Sequence, residues 1–353
     1  VEDGALRLGP QSAGAVPGPA CYGLGGTEPT VTDANLVLGR LGADRFLGGE
    51  MKLDMAAAEH ALKSRIGDPL GMSAVEAADG ILRIAATTMS YAVKGVTTER
   101  GLDAGDFVLV AYGGAGPLHA AEVAREIGMR QLIVPAAPGV FSAFGMLFSD
   151  LRYDYVRTWF TPLDEARFDE MEKVYRALEG QGRDAIAGAS VKPRRVDIKR
   201  AADMRYVGQE HAVTVDLPMA VFRRKDAKAI KRHFDAMHAQ RYGTSAPEER
   251  AEIVSLRSTV TGLMRKPLQS KIGRGQRTPA KAALAGKRKV HFDGRFHATP
   301  TYRRAALAAG NRIAGPALVE EYASTTVLMP HDVLEVDVFG NLVIEVAGEV
   351  ARQ

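Results

Sequence analysis

Apolar positions recur with a helical period in two early stretches. Residues 54–66 (DMAAAEHALKSRI) open on Asp54, a residue type that caps helices, and the capping-box sequence Ser73-Ala-Val-Glu76 leads into an apolar stripe that lasts to about Val96. The pattern then changes. After Asp106 the run FVLVAY is short, apolar and rich in β-branched residues, which predicts a strand; it passes through Gly113, Gly114, Ala115 and Gly116 into PLHAAEVAREIG, where an early Pro and a terminal Gly128 mark a helix. A second apolar run at 131–134 completes a predicted β-α-β unit, and the turn-rich PAAPGVFSAFGMLFSD follows. Residues 9–30 (GPQSAGAVPGPACYGLGGTEPT) have no period and are crowded with Gly and Pro. A loop of this kind needs a scaffold on both sides, so we expect further chain ahead of Val1.

Beyond Asp150 the alternation predicts a helix around 168–182, strands near 196–206 and 210–217, a helix over 226–242 and a long strand over 252–264. Short strands follow near 290–292, 295–299, 317–322, 325–329, 333–338 and 342–346, with Asp293-Gly294 and Gly340-Asn341 as hairpin turns. The predicted fold class is α/β over 1–150, followed by an α+β, β-rich domain over 151–353.

The composition adds limits. With 353 residues, 46% hydrophobic and 25% charged, the chain reads as globular and large enough for two domains. No apolar run is long enough to span a bilayer and the first residues lack a signal-peptide pattern, so we expect a soluble, cytoplasmic protein with no membrane partner. A single cysteine, Cys21, excludes an intrachain disulfide and a multi-cysteine zinc site. The net charge of +4 is uneven: residues 1–150 carry 11 Lys/Arg against 17 Asp/Glu, and the remainder 35 against 25. Residues 265–289 alone hold nine basic and no acidic residues. Such a stretch reads as a solvated basic linker or as a dock for an acidic partner subunit; with no aromatic residue to stack on bases, nucleic acid is not an expected partner.

The glycine turn at Gly113, Gly114 and Gly116 is the best local candidate for chemistry. A strand that feeds a helix through adjacent glycines presents bare backbone and free N–H groups where a nucleotide can approach, although tight helix–sheet packing alone also explains it. The spacing is neither GxGxxG nor a Walker A motif. His119, on the first turn of that helix, is either a phosphate or substrate contact or a satisfied structural residue. Asp33 is either a helix cap or a contact to magnesium or substrate, with Asn35 beside it. Cys21 has no neighbouring base or cation and reads as a buried structural thiol. Arg205, Gln209, Glu210 and His211 surround a predicted hairpin; they are either a polar cluster or exposed turn chemistry, which explains them equally well. His233 and His238, five apart, leave one helical face, and no metal site is assigned. No GxSxG pattern occurs.

Several stretches, taken together, resemble the hydantoinase/oxoprolinase family, and within it the A-type subunit of N-methylhydantoinase, 5-oxoprolinase and acetone or acetophenone carboxylases. They are residues 9–41, 46–54 (FLGGEMKLD), 112–128 (YGGAGPLHAAEVAREIG) and 134–158, with MRYVGQE at 204–210, RYG at 241–243, GPALVEEYASTTVLMP at 315–330 and GNLVIE at 340–345. The resemblance implies one lobe of a sugar-kinase/heat-shock/actin-like nucleotide-binding fold, in which a glycine turn contacts adenosine; Gly113, Gly114 and Gly116 are the matching turn. It further implies ATP with Mg²⁺, a phosphoryl transfer that activates a poorly reactive oxygen, and a B-type subunit that completes the reaction. A cyclic amide is favoured over a ketone because amidohydrolases are the broader branch. Asp33 and His119 are then the candidate catalytic contacts. The family's DxGGT-type phosphate loop is not in this sequence, so the chain is expected to correspond to the C-terminal half of an A subunit, with the N-terminal half as a partner and the isolated chain inactive. A non-catalytic module that docks a B-type subunit is the other reading.

Overall fold

α1 (Val31–Val37) starts from a capping box: the Thr30 hydroxyl accepts from the Thr32 and Asp33 N–H groups, and the Asp33 carboxylate accepts from the Thr30 N–H. The computed structural model describes residue 1 and residues 4–348. α2 (Met55–Leu62) begins at Asp54, whose carboxylate accepts from the Ala57 N–H at 3.0 Å. The helical path expected to end at Ile66 continues through a π turn at Lys63–Gly67 into the single turn α3 (Asp68–Leu70) and stops at Gly71, φ 67°. α4 (Ala74–Val96) opens with the expected reciprocal capping box between Ser73 and Glu76. It buries Ala77, Ala78, Ile81, Leu82, Ala85 and Ala86. That stripe is mostly alanine, which lets neighbouring helices approach closely.

The β-α-β unit forms as β1 (Leu109–Val110), α5 (Gly116–Glu126) and β2 (Gln131–Val134), with β1 and β2 parallel in the register Leu109 to Leu132 and Val110 to Ile133. Both α1 and α5 pack on α4. Of the FVLVAY run only two residues pair as a strand, because β1 is the edge of its sheet and Phe107, Val108 and Val110 remain exposed. α6 (Phe141–Met146) follows.

A second unit, Gly145–Leu268, has its own core. Its elements are β3 (Leu151–Pro162), α7 (Phe168–Ala187), β4 (Arg195–Tyr206), β5 (Val213–Asp216), α8 (Met219–Arg223), α9 (Ala227–Tyr242) and β6 (Ala251–Leu263). The sheet runs β3-β6-β4-β5, antiparallel throughout, with Tyr175, Phe222, Phe234 and Leu256 in the core. β3 was not expected. It is an edge strand in which Leu151, Tyr153 and Tyr155 alternate with exposed Arg152 and Asp154, but the alternation stops at the exposed run 156–158.

The last strands are β7 (Leu284–Phe292), β8 (Arg295–Arg303), β9 (Arg312–Ala314), β10 (Ala317–Glu321), β11 (Ser324–Leu328), β12 (Val333–Val336) and β13 (Leu342–Glu345). Asp293 and Gly294, at φ 47° and 79°, form the expected tight turn between β7 and β8. One sheet runs β11-β10-β8-β7 and the other β1-β2-β13-β12-β9. In the second sheet β13 lies antiparallel to β2, with Leu342 opposite Val134 and Ile344 opposite Leu132. Residues 269–353 therefore belong with the first unit, Val1–Phe144, rather than with the chain that precedes them. The division drawn at residue 150 fails at this point, because β13 and β2 pair across about 200 residues and no local signal marks that pairing. The basic linker is also shorter and better held than a solvated loop: Ile272 N–H donates to Val338 O, Gly275 N–H to Ala309 O, and residues 284–289 already lie in β7.

Candidate functional site

The glycine-rich loop is tied down by one carboxylate. Asp33 Oδ1 accepts from the Cys21 N–H at 2.8 Å, and Oδ2 accepts from the Thr30 N–H and hydroxyl, each at 2.8 Å, and from the Ala20 N–H at 3.3 Å. The residue is completely buried. Both oxygens are engaged within the fold, which leaves Asp33 a structural clamp with no oxygen for magnesium or substrate; the cap residue itself is Thr30. Cys21 is buried beside it, and burial together with the Asp33 charge pushes the thiol well above its ordinary range, so it is not a reactive thiolate. The Cys21 carbonyl in turn accepts from the Asp54 N–H at 2.8 Å, which joins the loop to the head of α2.

The glycine turn is held from two sides. Gly113 takes φ 84° and donates its N–H to Pro138 O at 2.8 Å. A Cβ on Gly114 would lie 3.0 Å from Ala323 O, in the turn between β10 and β11. Gly116 carries no such demand; its nearest contact would be an ordinary 3.9 Å. In the first turn of α5 Pro117 has no N–H and the Leu118 N–H donates to Ala115 O at 3.1 Å.

A cleft of about 390 Å³ lies beside this turn. One wall is apolar, from Tyr22, Val31, Leu41, Phe46, Leu47 and Leu118, with the Tyr22 and Phe46 rings 5.6 Å apart. The other comes from the glycine turn at Gly114 and Ala115 and from the β10–β11 hairpin, residues 320–325. Thr32, Asn35 and His119 complete the lining between them.

Charged groups around the cleft are paired with one another. Arg40, 2% exposed, donates to both oxygens of Glu122 at 2.7 and 3.1 Å. Glu320 meets Arg288 at 2.6 Å and Arg45 at 3.5 Å, and Glu321 faces Arg304 at 3.6 Å. Burial raises the Glu321 carboxyl above the ordinary glutamate range, against the pull of Arg304. Arg304, in the turn after β8, also donates to Val134 O, Pro135 O and Gly340 O, and so links that turn to the other sheet while facing Glu321 near the tip of the β10–β11 hairpin.

His119 lines the cleft but is a neutral group. Burial, and then the nearby Arg40 charge, depress it from 6.5 to about 4 against the opposing pull of Glu122. At neutral pH it therefore offers no positive charge to a phosphate. Its Nδ1 is buried without a hydrogen-bond partner among the described residues, and the same holds for Asn35 Oδ1 and Ser324 Oγ.

The remaining sequence candidates lie in the Gly145–Leu268 unit, away from the cleft, and two of them have structural partners. Arg205 pairs with Glu252 at 2.7 Å and donates to Glu210 O, and His238 Nδ1 is 2.6 Å from Thr244 O. Sequence reasoning singled out none of Ser324, Glu320 and Glu321. They sit in the GPALVEEYASTTVLMP stretch, whose two adjacent acids and polar tail after a strand were the available signal.

Comparison with known proteins divides the chain between residues 155 and 163, close to the boundary read from the sequence. Residues 1–155 match the family model for hydantoinase/oxoprolinase, and residues 163–342 match that for the hydantoinase/oxoprolinase C-terminal domain. An uncharacterised protein of Methanocaldococcus jannaschii is 40% identical over 344 residues, which is 98% of this chain and 48% of that protein. The caprolactamase alpha subunit of Pseudomonas jessenii is 35% identical over 340 residues, covering 93% of this chain and 47% of its own length. Among solved structures, a nucleotide-free acetone carboxylase superposes with a TM-score of 0.81 at 27% identity, covering 97% of this chain and 50% of that one. The chain thus spans about half the length of these relatives.

Two outcomes are expected. Asp33→Ala strands the buried N–H groups of Ala20, Cys21 and Thr30 and should cost about 3 kcal/mol or more in chemical denaturation; a variant as stable as the wild type would show that the clamp is dispensable. His119 takes up a proton in the unfolded chain as the pH drops below 6.5, whereas the folded chain resists until about 4. Its contribution is therefore complete above pH 6.5 and falls by about 3 kcal/mol on the way down to pH 4. Denaturation of wild type and His119→Gln at neutral and acid pH should show a smaller acid loss in the variant, and identical losses would contradict the assignment.

Proposed function

The chain belongs to the hydantoinase/oxoprolinase family, and on that premise we propose that it forms the adenosine-side portion of an A-type subunit in an ATP-dependent enzyme that phosphorylates a cyclic amide carbonyl for hydrolysis. The observation that carries this reading is the cleft beside the glycine turn, with its apolar, partly aromatic lining and its neutral, unpartnered polar groups.

The residues of the cleft fit a nucleoside better than a triphosphate. Tyr22 and Phe46 offer aromatic surface to a base, and the carboxylates of Glu320 and Glu321 suit the hydroxyls of a sugar. Of the cations nearby, Arg288 and Arg304 face those carboxylates and Arg45 stands 3.5 Å from Glu320, so three guanidinium groups meet two carboxylates and a single positive charge is left over for three phosphates. No group of three or more His, Cys, Asp or Glu among the described residues is placed to hold a metal ion. Accordingly, the groups that hold the phosphates and Mg²⁺ belong in our reading to the other half of the relatives' length. The nucleotide, when bound, supplies the phosphoryl group that turns an amide oxygen into a leaving group. This chain's own part is to seat the nucleoside: Gly114 lets the backbone come close, Asp33 holds the loop behind Tyr22, and His119 keeps a neutral wall.

The caprolactamase relative supports the cyclic-amide reading, since its name describes action on a lactam. Superposition on acetone carboxylase at a TM-score of 0.81 supports a second reading, a subunit of an ATP-dependent ketone carboxylase. Hydantoin, 5-oxoproline and acetone offered to the complete assembly, with release of ADP as the signal, separate the two.

A binding measurement tests the nucleotide assignment itself. ATP with Mg²⁺ titrated calorimetrically into the assembly of this chain with its remaining half and B-type subunit should bind saturably. Gly114→Val, whose branched side chain would meet Ala323 O, should weaken that binding by about tenfold or more, the loss of about 1.4 kcal/mol, without a matching drop in melting temperature. Unchanged affinity in the variant would remove the glycine turn from the site.

A further inference from the structure

Five side chains that line the cleft have a buried polar atom without a hydrogen-bond partner among the described residues. Those of Glu320 and Glu321 face Arg45 and Arg304 at 3.5 and 3.6 Å, which leaves three neutral ones with no explanation in the fold alone. Asn35, His119 and Ser324 are 1%, 5% and 7% exposed, and each has a polar atom without a partner among the described residues: Oδ1, Nδ1 and Oγ. They come from α1, α5 and β11, yet all line one cavity. An unpaired buried polar group costs about 1–3 kcal/mol, and native folds hold few of them. Three around a single cleft mark a surface that a ligand completes.

Their chemistry narrows what the ligand presents. Asn and Ser are uncharged, and His119 is neutral at physiological pH. The carboxylates and guanidinium groups around them face one another. The wall with Tyr22 and Phe46 is apolar and aromatic. The complementary ligand portion is therefore flat and uncharged, with hydrogen-bonding atoms along its edge. Asn35 adds a direction: its Nδ2 donates to Val31 O at 2.9 Å, one turn back in α1, which leaves the amide oxygen as the acceptor. An acceptor at that position selects a donor on the ligand, such as an exocyclic amino group, and disfavours a carbonyl in its place.

Resting on the nucleotide reading above, we infer that Asn35, His119 and Ser324 are the specificity-determining residues of the cleft, and that they read the edge of an amino-bearing purine in preference to one that carries a carbonyl there. The base is discriminated by uncharged hydrogen bonds at sites distant in sequence, and charge plays no part in the choice.

Equilibrium binding of ATP and GTP to the complete assembly tests this. Wild type should prefer ATP. Ser324→Ala and His119→Gln should each weaken ATP binding about three- to tenfold, and Asn35→Ala should shrink the preference of ATP over GTP by a similar factor. Melting curves accompany each variant; a purely structural defect lowers both affinities together and leaves their ratio unchanged. Ser324→Ala removes a single oxygen, so it keeps the test decisive if Asn35→Ala misfolds. Equal wild-type affinity for ATP and GTP overturns the inference, and so does an ATP preference that survives all three substitutions; the latter leaves the nucleotide reading standing. An assembly that binds neither nucleotide refutes the nucleotide reading and this inference with it.

Discussion

The pairing of β13 with β2 is the contact on which the first unit depends. β1 and β2 alone would be a two-stranded parallel ladder, with β1 only two residues long, and such a ladder does not persist in water. β13 gives β2 its second neighbour in the register Leu342 to Val134, and β12 and β9 extend the sheet beyond it. The Val346 N–H to Arg130 O bond at 2.9 Å extends the join by one more residue. Only with that sheet in place does α5 have a platform, and only then does the glycine turn face the β10–β11 hairpin. Long-range pairing of this kind has a high loop-closure cost, repaid by the one continuous apolar core that both segments share.

The cleft inherits its character from the same closure. Its walls come from residues 22–47, from the glycine turn and α5, and from the hairpin near residue 322, so it exists only where remote parts of the chain meet. Each part is secured by a buried polar tie: Asp33 for the loop, Arg40 with Glu122 between α1 and α5, and Arg304 for the hairpin. These ties use nearly all the local charge. What remains toward the cavity is largely aromatic surface and neutral polar atoms, the features on which the proposed nucleoside site rests.

Local chemistry was readable in the sequence and non-local pairing was not. Asp54, the Ser73–Glu76 box and Asp293-Gly294 act within a few residues, and each element they predict is present. The β-α-β unit around the glycine turn was also legible, and the motifs that resemble the hydantoinase/oxoprolinase family span both matched family domains. β3 was missed although Leu151, Tyr153 and Tyr155 alternate with Arg152 and Asp154, because the pattern is short and breaks off at the exposed residues 156–158. The assignment of 269–353 to the second domain failed because strand partners separated by two hundred residues leave no local trace. Asp33 was legible as a capping-box residue but not as a clamp, since two of its four donors, Ala20 and Cys21, lie back in the loop. Glu321 and Ser324 read as ordinary strand-end residues until the fold carried them beside Asn35 and His119.

Hydrogen exchange of the complete assembly with and without ATP tests the central claim most directly, because it reports on every segment at once. The account predicts that ATP slows exchange together in residues 35–47, 113–119 and 320–325, with the Gly145–Leu268 unit largely unaffected. Protection confined to other segments, or none in these three while ATP is demonstrably bound, would contradict it.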